Sequence, residues 1–374
     1  MMFKSKAFLC SFLAAVVCTV ALPLIAEAIN YGRGGQAFKE ESTAVLPSVN
    51  VPETTRPSLT DTPSATETPS TNEPPSMNVP PTVDQAPLTL PKEVTLYSVE
   101  DGTILTLPLE SYITGVVAAE MSYSFHSEAL KAQAVAARTY CLYRLSVGVT
   151  HENGASLCTD YTHCTAFATH EELSEHYGKT AADRIYSKVG EAVQTTAGQI
   201  LTYDGAPIFA AFHSRSYRYT EASENVWGGY LPYLRSVTTP EEDSLSFLSV
   251  KESTLASLFD ASSLAASATH DQALLLADLH DSGRTDTLYY RGKALSATKL
   301  RSLLGLRSCY FETERTEDGW LFTVHGYGHG VGMSQYGANA MAKDGAVYDE
   351  ILHHYYTDVV LTTLSNPADA SAGS

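Results

Sequence analysis

Leu109, Tyr112, Ile113, Val116 and Val117 recur at the i, i+3, i+4, i+7 and i+8 positions of a single helix face. Pro108 suits the first turn of such a helix, and the pattern carries it over 108–121. Extended from Leu109, the same stripe reaches Glu120, between Ala119 and Met121. A carboxylate therefore stands where the pattern demands an interior residue, and in the last turn, where the helix presents negative potential. Desolvation and the dipole both disfavour its charged form and raise its pKa, as a general acid requires. A structural pairing with a buried arginine is the competing reading. A second helix is predicted over 127–146. On it Lys131 and Arg138, seven residues apart, share a face and could either brace Glu120 or bind substrate hydroxyl and carboxylate groups. Arg138 follows the run Ala132–Ala137, so burial is expected and a partner required.

Elsewhere the pattern alternates. Val94–Val99 and Thr103–Leu107 read as strands joined at Asp101-Gly102, and 198–203 and 207–212 as strands around Asp204-Gly205. A His-, Cys- and Gly-rich loop fills 148–170, and a helix is predicted over 171–195. Helical stretches are expected within 241–280, strands at 285–291, 309–315 and 319–325, and a final helix at 333–355. Segregated helices and hairpins point to an α+β fold: a single domain over 93–365 with short antiparallel hairpins.

Residues 325–333 alternate glycine with larger side chains. If extended, they place His325, Tyr327, His329 and Val331 on one side and a bare glycine face on the other, open to a backbone or a flat sugar ring. The His-x-x-x-His spacing lacks the glutamate and the helix of a zinc-protease motif, which argues against a metal-dependent amidase built on His325 and His329.

The ends of the chain differ in kind. Lys4 and Lys6 precede an apolar run from Ala7 to Ala26, about the length of a membrane span. Ala26-Glu27-Ala28 also resembles a cleavage site. Either reading sends the rest of the chain out of the cytoplasm; an uncleaved single-pass anchor over 1–28 is the expectation, with secretion if Ala28 is cleaved. Residues 29–92, rich in Pro, Thr and Ser, read as a disordered linker, and 366–374 as a flexible tail. The formal net charge of −18 excludes a general affinity for nucleic acid. Six cysteines are too few for a disulfide scaffold, and only Cys158 and Cys164 form a local pair.

The blocks Leu107–Tyr112 and Val116–Met121, then Glu128–Tyr140, Val226–Gly229, Ser282–Arg284, Leu304–Ser308 and Gly328–Ala338 together resemble the stage II sporulation protein D family and its LytB-like relatives. The match runs over roughly 93–362. The resemblance implies a peptidoglycan lytic transglycosylase of engulfment during sporulation, with Glu120 on the family's catalytic glutamate. Lys131, Arg138, His213, Ser214, Tyr327, His329, Gln335 and Tyr336 are the candidate substrate-binding residues. One carboxylate suffices for this reaction, because the nucleophile belongs to the substrate. The alternative is a non-catalytic wall-binding protein that enhances a partner amidase.

The resemblance also implies structural zinc on His151, Cys158, His163 and Cys164, a set that suits tetrahedral coordination; a Cys158–Cys164 disulfide is the alternative. It implies as partners a sporulation amidase and a multi-pass membrane protein that recruits the complex, and it places the domain outside the mother-cell engulfing membrane. No organic cofactor is expected. One departure stands out. Where relatives carry two glycines after Phe-His-Ser-x-Ser, this chain has Tyr217 and Arg218. Either the loop differs in shape, or these two side chains, suited to sugar stacking and carboxylate binding, tune substrate choice.

Overall fold

Strands β1 (Glu93–Ser98) and β2 (Thr103–Pro108) pair antiparallel from Glu93↔Pro108 to Ser98↔Thr103, and Gly102 takes a positive φ in the turn between them. This computed structural model describes residues 88–148, 151, 154–160, 163–260 and 276–364. The expected anchor, nearly all of the linker and the tail lie outside the described residues. Among those described, no helix is long and apolar enough to cross a membrane.

Helix α1 (Leu109–Glu120) starts directly from Pro108. It buries Leu109, Tyr112, Ile113, Val116 and Val117, the stripe drawn from the pattern, together with Gly115. The chain leaves the helix abruptly, since Met121 is extended and its N–H returns to the Val117 carbonyl at 3.0 Å. Helix α2 (Ser127–Ser146) is buried on nearly every side. Its alanines admit close neighbours, and the larger core is built around it from α1 and later elements of the chain. Strand β3 (Leu157–Cys158) adds to β1 in parallel.

The single helix expected at 171–195 is two: α3 (His170–Tyr177) and α4 (Lys179–Thr195). Gly178 between them, at φ 83°, cannot continue a right-handed helix. Strand β4 (Gln199–Tyr203) turns through Asp204-Gly205 into β5 (Ala206–Pro207). The strand expected over 207–212 is therefore reduced to β5 and the two-residue β6 (Phe212–His213), followed by α5 (Ser223–Trp227). Within 241–280 the helical expectation holds only for α6 (Glu252–Leu258). It is preceded by strand β7 (Leu245–Lys251), whose burial alternates along its length.

Strands β8 (Leu276–Leu279), β9 (Thr285–Tyr290) and β10 (Lys293–Ser296) form one antiparallel sheet, closed by α7 (Ala297–Leu304). Strands β11 (Phe311–Arg315) and β12 (Gly319–His325) join β7 in another. Between these sheets and α6 and α7 lies a second core, around Leu255, Phe259, Leu288, Tyr290, Leu300, Phe311, Trp320 and Phe322.

The chain then passes the glycine segment to β13 (Met333–Ser334), which pairs in parallel with β6. The final helix is also split. Helices α8 (Gln335–Lys343) and α9 (Tyr348–Tyr355) flank Gly345 at φ 101°. Both pack on α2, as do α4 and β4, and β14 (Val360–Thr363) returns to pair with β4. The architecture is α+β with short, mostly antiparallel sheets; β1–β3 and β6–β13 are the parallel pairings.

Candidate active site

Glu120 closes α1, half-buried, with both carboxylate oxygens engaged. The Ala166 N–H donates to Oε1 and the Gln335 side-chain amide to Oε2, each at 3.1 Å. Burial raises its pKa from the ordinary carboxylate value, and these two hydrogen bonds oppose that rise without cancelling it. Two separate elements thus position the acid. Gln335 opens α8, whose N-cap Ser334 accepts the Gly337 N–H at 3.2 Å. Ala166 lies in a segment held along α1: Tyr112 meets Thr165 through their hydroxyls at 3.1 Å and stacks on Phe167, and Ala168 N–H donates to the Gly115 carbonyl at 3.2 Å. Gly115 is glycine for a packing reason, since a Cβ there would drive into the Phe167 ring.

Next to Gln335, Tyr336 meets Phe125 edge-on at 4.9 Å, and its other neighbour is the Arg215 guanidinium, 3.6 Å from the ring centroid. The Tyr336 N–H donates to the Ser214 carbonyl at 3.1 Å, which ties α8 to the 213–216 loop. A second acid supports this junction. Glu241 accepts the Ser216 N–H at 2.8 Å and the hydroxyls of Ser334 and Thr239.

The structure thus brings Glu120, Gln335 and Tyr336 together and joins Ser214 to them through its backbone. Others of the candidate residues stand apart. Arg138 is fully buried, donating to both oxygens of Glu110 at 2.9 and 2.6 Å and to the carbonyls of Val193 and Gln199. With its donors spent inside the core it braces α1 against α2 and α4, and the substrate-binding expectation for it is corrected. Lys131 forms an ion pair with Glu128 at 2.7 Å, one turn away on α2. His213 is likewise a strut. Its ring lies between the Val331 carbonyl at 3.1 Å and Ser216 Oγ at 2.6 Å, and burial holds its pKa well below the usual imidazole value.

Tyr327 pairs with Arg215 through two backbone hydrogen bonds and carries Arg307 over its ring at 5.6 Å. His329 is pushed down by burial to about 3, hence neutral. It lines a pocket with Glu221, Arg284, Arg301 and Cys309, and Glu120 is not among that pocket's lining residues.

The glycine segment is not an extended strand. Gly326, Gly328, Gly330 and Gly332 all have φ between 69° and 116°, a range other residues rarely adopt. Nor is their bare face open to a sugar. A Cβ on these four would meet, respectively, Arg215, His213, Arg284 and Ala211. Tight packing against the chain itself explains the glycines. His325 is bound to Asp243 at 2.6 Å.

His151, Cys158, His163 and Cys164 converge, with one ligand atom from each within 4.8 Å of the others. Both thiols are free. Cys164 Sγ lies 3.4 Å from His151 Nε2, and each sulfur lies 3.7 Å from His163 Nδ1. Tetrahedral zinc with ordinary Zn–S and Zn–N bonds separates its ligands by about 3.6 Å, so the donor set and spacing fit the ion. Among the described residues this is the one group that converges as metal ligands would. Neither the Ala166 amide nor Phe125 and Arg215 were legible as site residues. The first is a backbone group, and the others acquire their place only when distant segments meet.

A family model described as stage II sporulation protein matches residues 97–203, the stretch that holds Glu120 and the His/Cys cluster. Stage II sporulation protein D of Bacillus subtilis (strain 168) is 37% identical over 276 residues, covering 71% of this chain and 78% of that protein. The chain belongs to the stage II sporulation protein D family. The Bacillus amyloliquefaciens protein of the same name is also 37% identical, over 274 residues, covering 72% of this chain and 78% of that one. An amidase enhancer of Bacillus subtilis is 29% identical over 307 residues, 67% of this chain and 40% of that protein. Arg218, which the resemblance set in the place of a glycine, takes φ 63°, a left-handed conformation that suits glycine.

Proposed function

We propose that this chain is a lytic transglycosylase that cuts the bond between N-acetylmuramic acid and N-acetylglucosamine in peptidoglycan, with Glu120 as both acid and base. The observation that carries this reading is the desolvated carboxyl at the end of α1, its pKa raised by burial and its two oxygens oriented by Ala166 and Gln335. A carboxyl whose charged form is disfavoured by burial donates its proton to the glycosidic oxygen as the bond to the muramyl C1 breaks. The leaving sugar departs with a free hydroxyl. The carboxylate left behind is the form favoured by hydrogen bonds from Gln335 and Ala166. It accepts the proton of the muramyl 6-hydroxyl while that oxygen bonds to C1, giving a 1,6-anhydro end. Glu120 ends as it began, and no water is consumed.

In this proposal zinc is held by His151, Cys158, His163 and Cys164, where it supplies a structural tetrahedral clamp. Ala166, two residues beyond Cys164, then inherits its position from that clamp. The enzyme works outside the cytoplasm, tethered through its N-terminal segment. Its partners are a sporulation amidase and a multi-pass membrane recruiter.

A second reading, a non-catalytic enhancer of an amidase, is favoured by the similarity to a protein bearing that name. The two part on one experiment. The full-length chain is incubated with glycan strands, alone and with an added amidase. Anhydro products from the chain alone support the transglycosylase; stimulation of the amidase without such products supports the enhancer.

A further inference from the structure

We propose that Arg215, Arg218 and Arg307 form a surface that reads carboxylates on wall glycan, with Arg218 held in a strained turn for that task. The inference rests on peptidoglycan being the substrate class, and it concerns residues other than the acid.

Each of the three arginines lies over a tyrosine ring: Arg215 over Tyr336 at 3.6 Å, Arg218 over Tyr217 at 4.9 Å and Arg307 over Tyr327 at 5.6 Å. The three stacks are contiguous through the backbone. Arg215 and Tyr327 exchange hydrogen bonds at 3.0 and 2.7 Å, and Gly328 N–H donates to the Arg307 carbonyl at 2.9 Å. Tyr217 stacks on His325 at 4.5 Å, and Asp243 fixes that ring. Tyr336 adjoins Gln335, the residue that holds Glu120. Arg215 Nη1 donates to the Glu242 main-chain carbonyl at 3.1 Å. Asp243 is committed to His325, and none of the three arginines is ion-paired among the described residues. In a chain of net charge −18, an anionic polymer is repelled in general, so a local cluster of guanidinium groups without acidic partners is what would admit one.

The turn is the second, independent observation. Tyr219 N–H donates to the Tyr217 carbonyl at 2.7 Å, closing a three-residue turn around Arg218 at φ 63°. Turns of this kind are rare and strained for any residue with a Cβ. The surroundings hold it in place: Thr239 N–H binds the Arg218 carbonyl at 2.9 Å, and buried Arg284 binds the Tyr219 carbonyl at 2.8 Å. The Arg218 side chain itself is exposed, with the Tyr217 ring as its support. Strain kept at a solvent-facing cation with no acidic partner among the described residues points to an external one. Guanidinium on an aromatic shelf suits a carboxylate beside a pyranose ring.

The test is pelleting of the full-length chain with insoluble cell walls, comparing wild type with Arg218→Gly. Glycine relieves the strain, so the variant is expected to melt at a higher temperature yet bind native walls roughly fivefold more weakly. Arg215→Gln with Arg307→Gln is the second variant, expected to weaken binding further. Walls whose carboxylates have been amidated should bind wild type and variants alike. Stripping the stem peptides frees the lactyl carboxylates, so tighter wild-type binding to stripped walls assigns the preference to the muramyl lactyl group, and weaker binding assigns it to the peptides. A more stable Arg218→Gly with unchanged wall affinity, or wild-type affinity undiminished by amidation, overturns the proposal. Pelleting does not require turnover, so failure of Glu120 chemistry would leave this result standing, and the reverse.

Discussion

The Gln335 side-chain amide donates to Glu120 Oε2 at 3.1 Å, joining the first residue of α8 to the last residue of α1 across 215 positions of chain. This bond favours the carboxylate, whereas burial favours the neutral acid and prevails. Gln335→Leu removes the first influence and keeps the second. The Glu120 pKa should then rise further, and the alkaline limb of the pH–rate profile, set by loss of the general acid's proton, should move to higher pH. Lost orientation should also lower kcat by about tenfold. A limb that moves to lower pH contradicts this assignment.

Arg138 is read as a brace, and its removal should be costly whether or not substrate is present. Arg138→Met leaves Glu110 without its bidentate partner and the carbonyls of Val193 and Gln199 without a donor. Breaking a buried ion pair in this way should lower folding stability by about 3–5 kcal/mol, measured by denaturant unfolding. A variant of wild-type stability with only a raised KM would return Arg138 to the substrate.

Much of this was visible in the sequence, and the reason is periodicity. The α1 stripe named its own buried residues and singled out Glu120, because helical spacing maps directly onto a face. The alanine run likewise announced that Arg138 would be buried, but not which partner it would take. The glycine segment misled for the same reason. Alternation reads as a strand, while positive φ at Gly326, Gly328, Gly330 and Gly332 leaves no separate mark in a hydrophobic pattern. Helix breaks at Gly178 and Gly345 were passed over because the apolar spacing resumes beyond each. Pairings such as Gln335 with Glu120, or Ala166 with Glu120, depend on tertiary folding and have no local signature.

The metal cluster makes a separate prediction. Purified, full-length protein should carry one zinc per chain by elemental analysis, and a chelator should lower its melting temperature. Cys158→Ala should do the same. Because Ala166 stands so close to the cluster in the chain, activity should fall with the metal, although Glu120 touches no ligand. Zinc-free protein with a Cys158–Cys164 disulfide in its mass spectrum would replace the clamp with a covalent one.

The central claim is that Glu120 transfers a proton twice and that no water enters the products. Mass spectrometry of glycan strands digested in ¹⁸O-labelled water measures both parts. Wild type should release 1,6-anhydro-muramyl ends without label, and Glu120→Gln should be slower by at least about a hundredfold. Labelled reducing ends, or undiminished release by Glu120→Gln, would contradict the account.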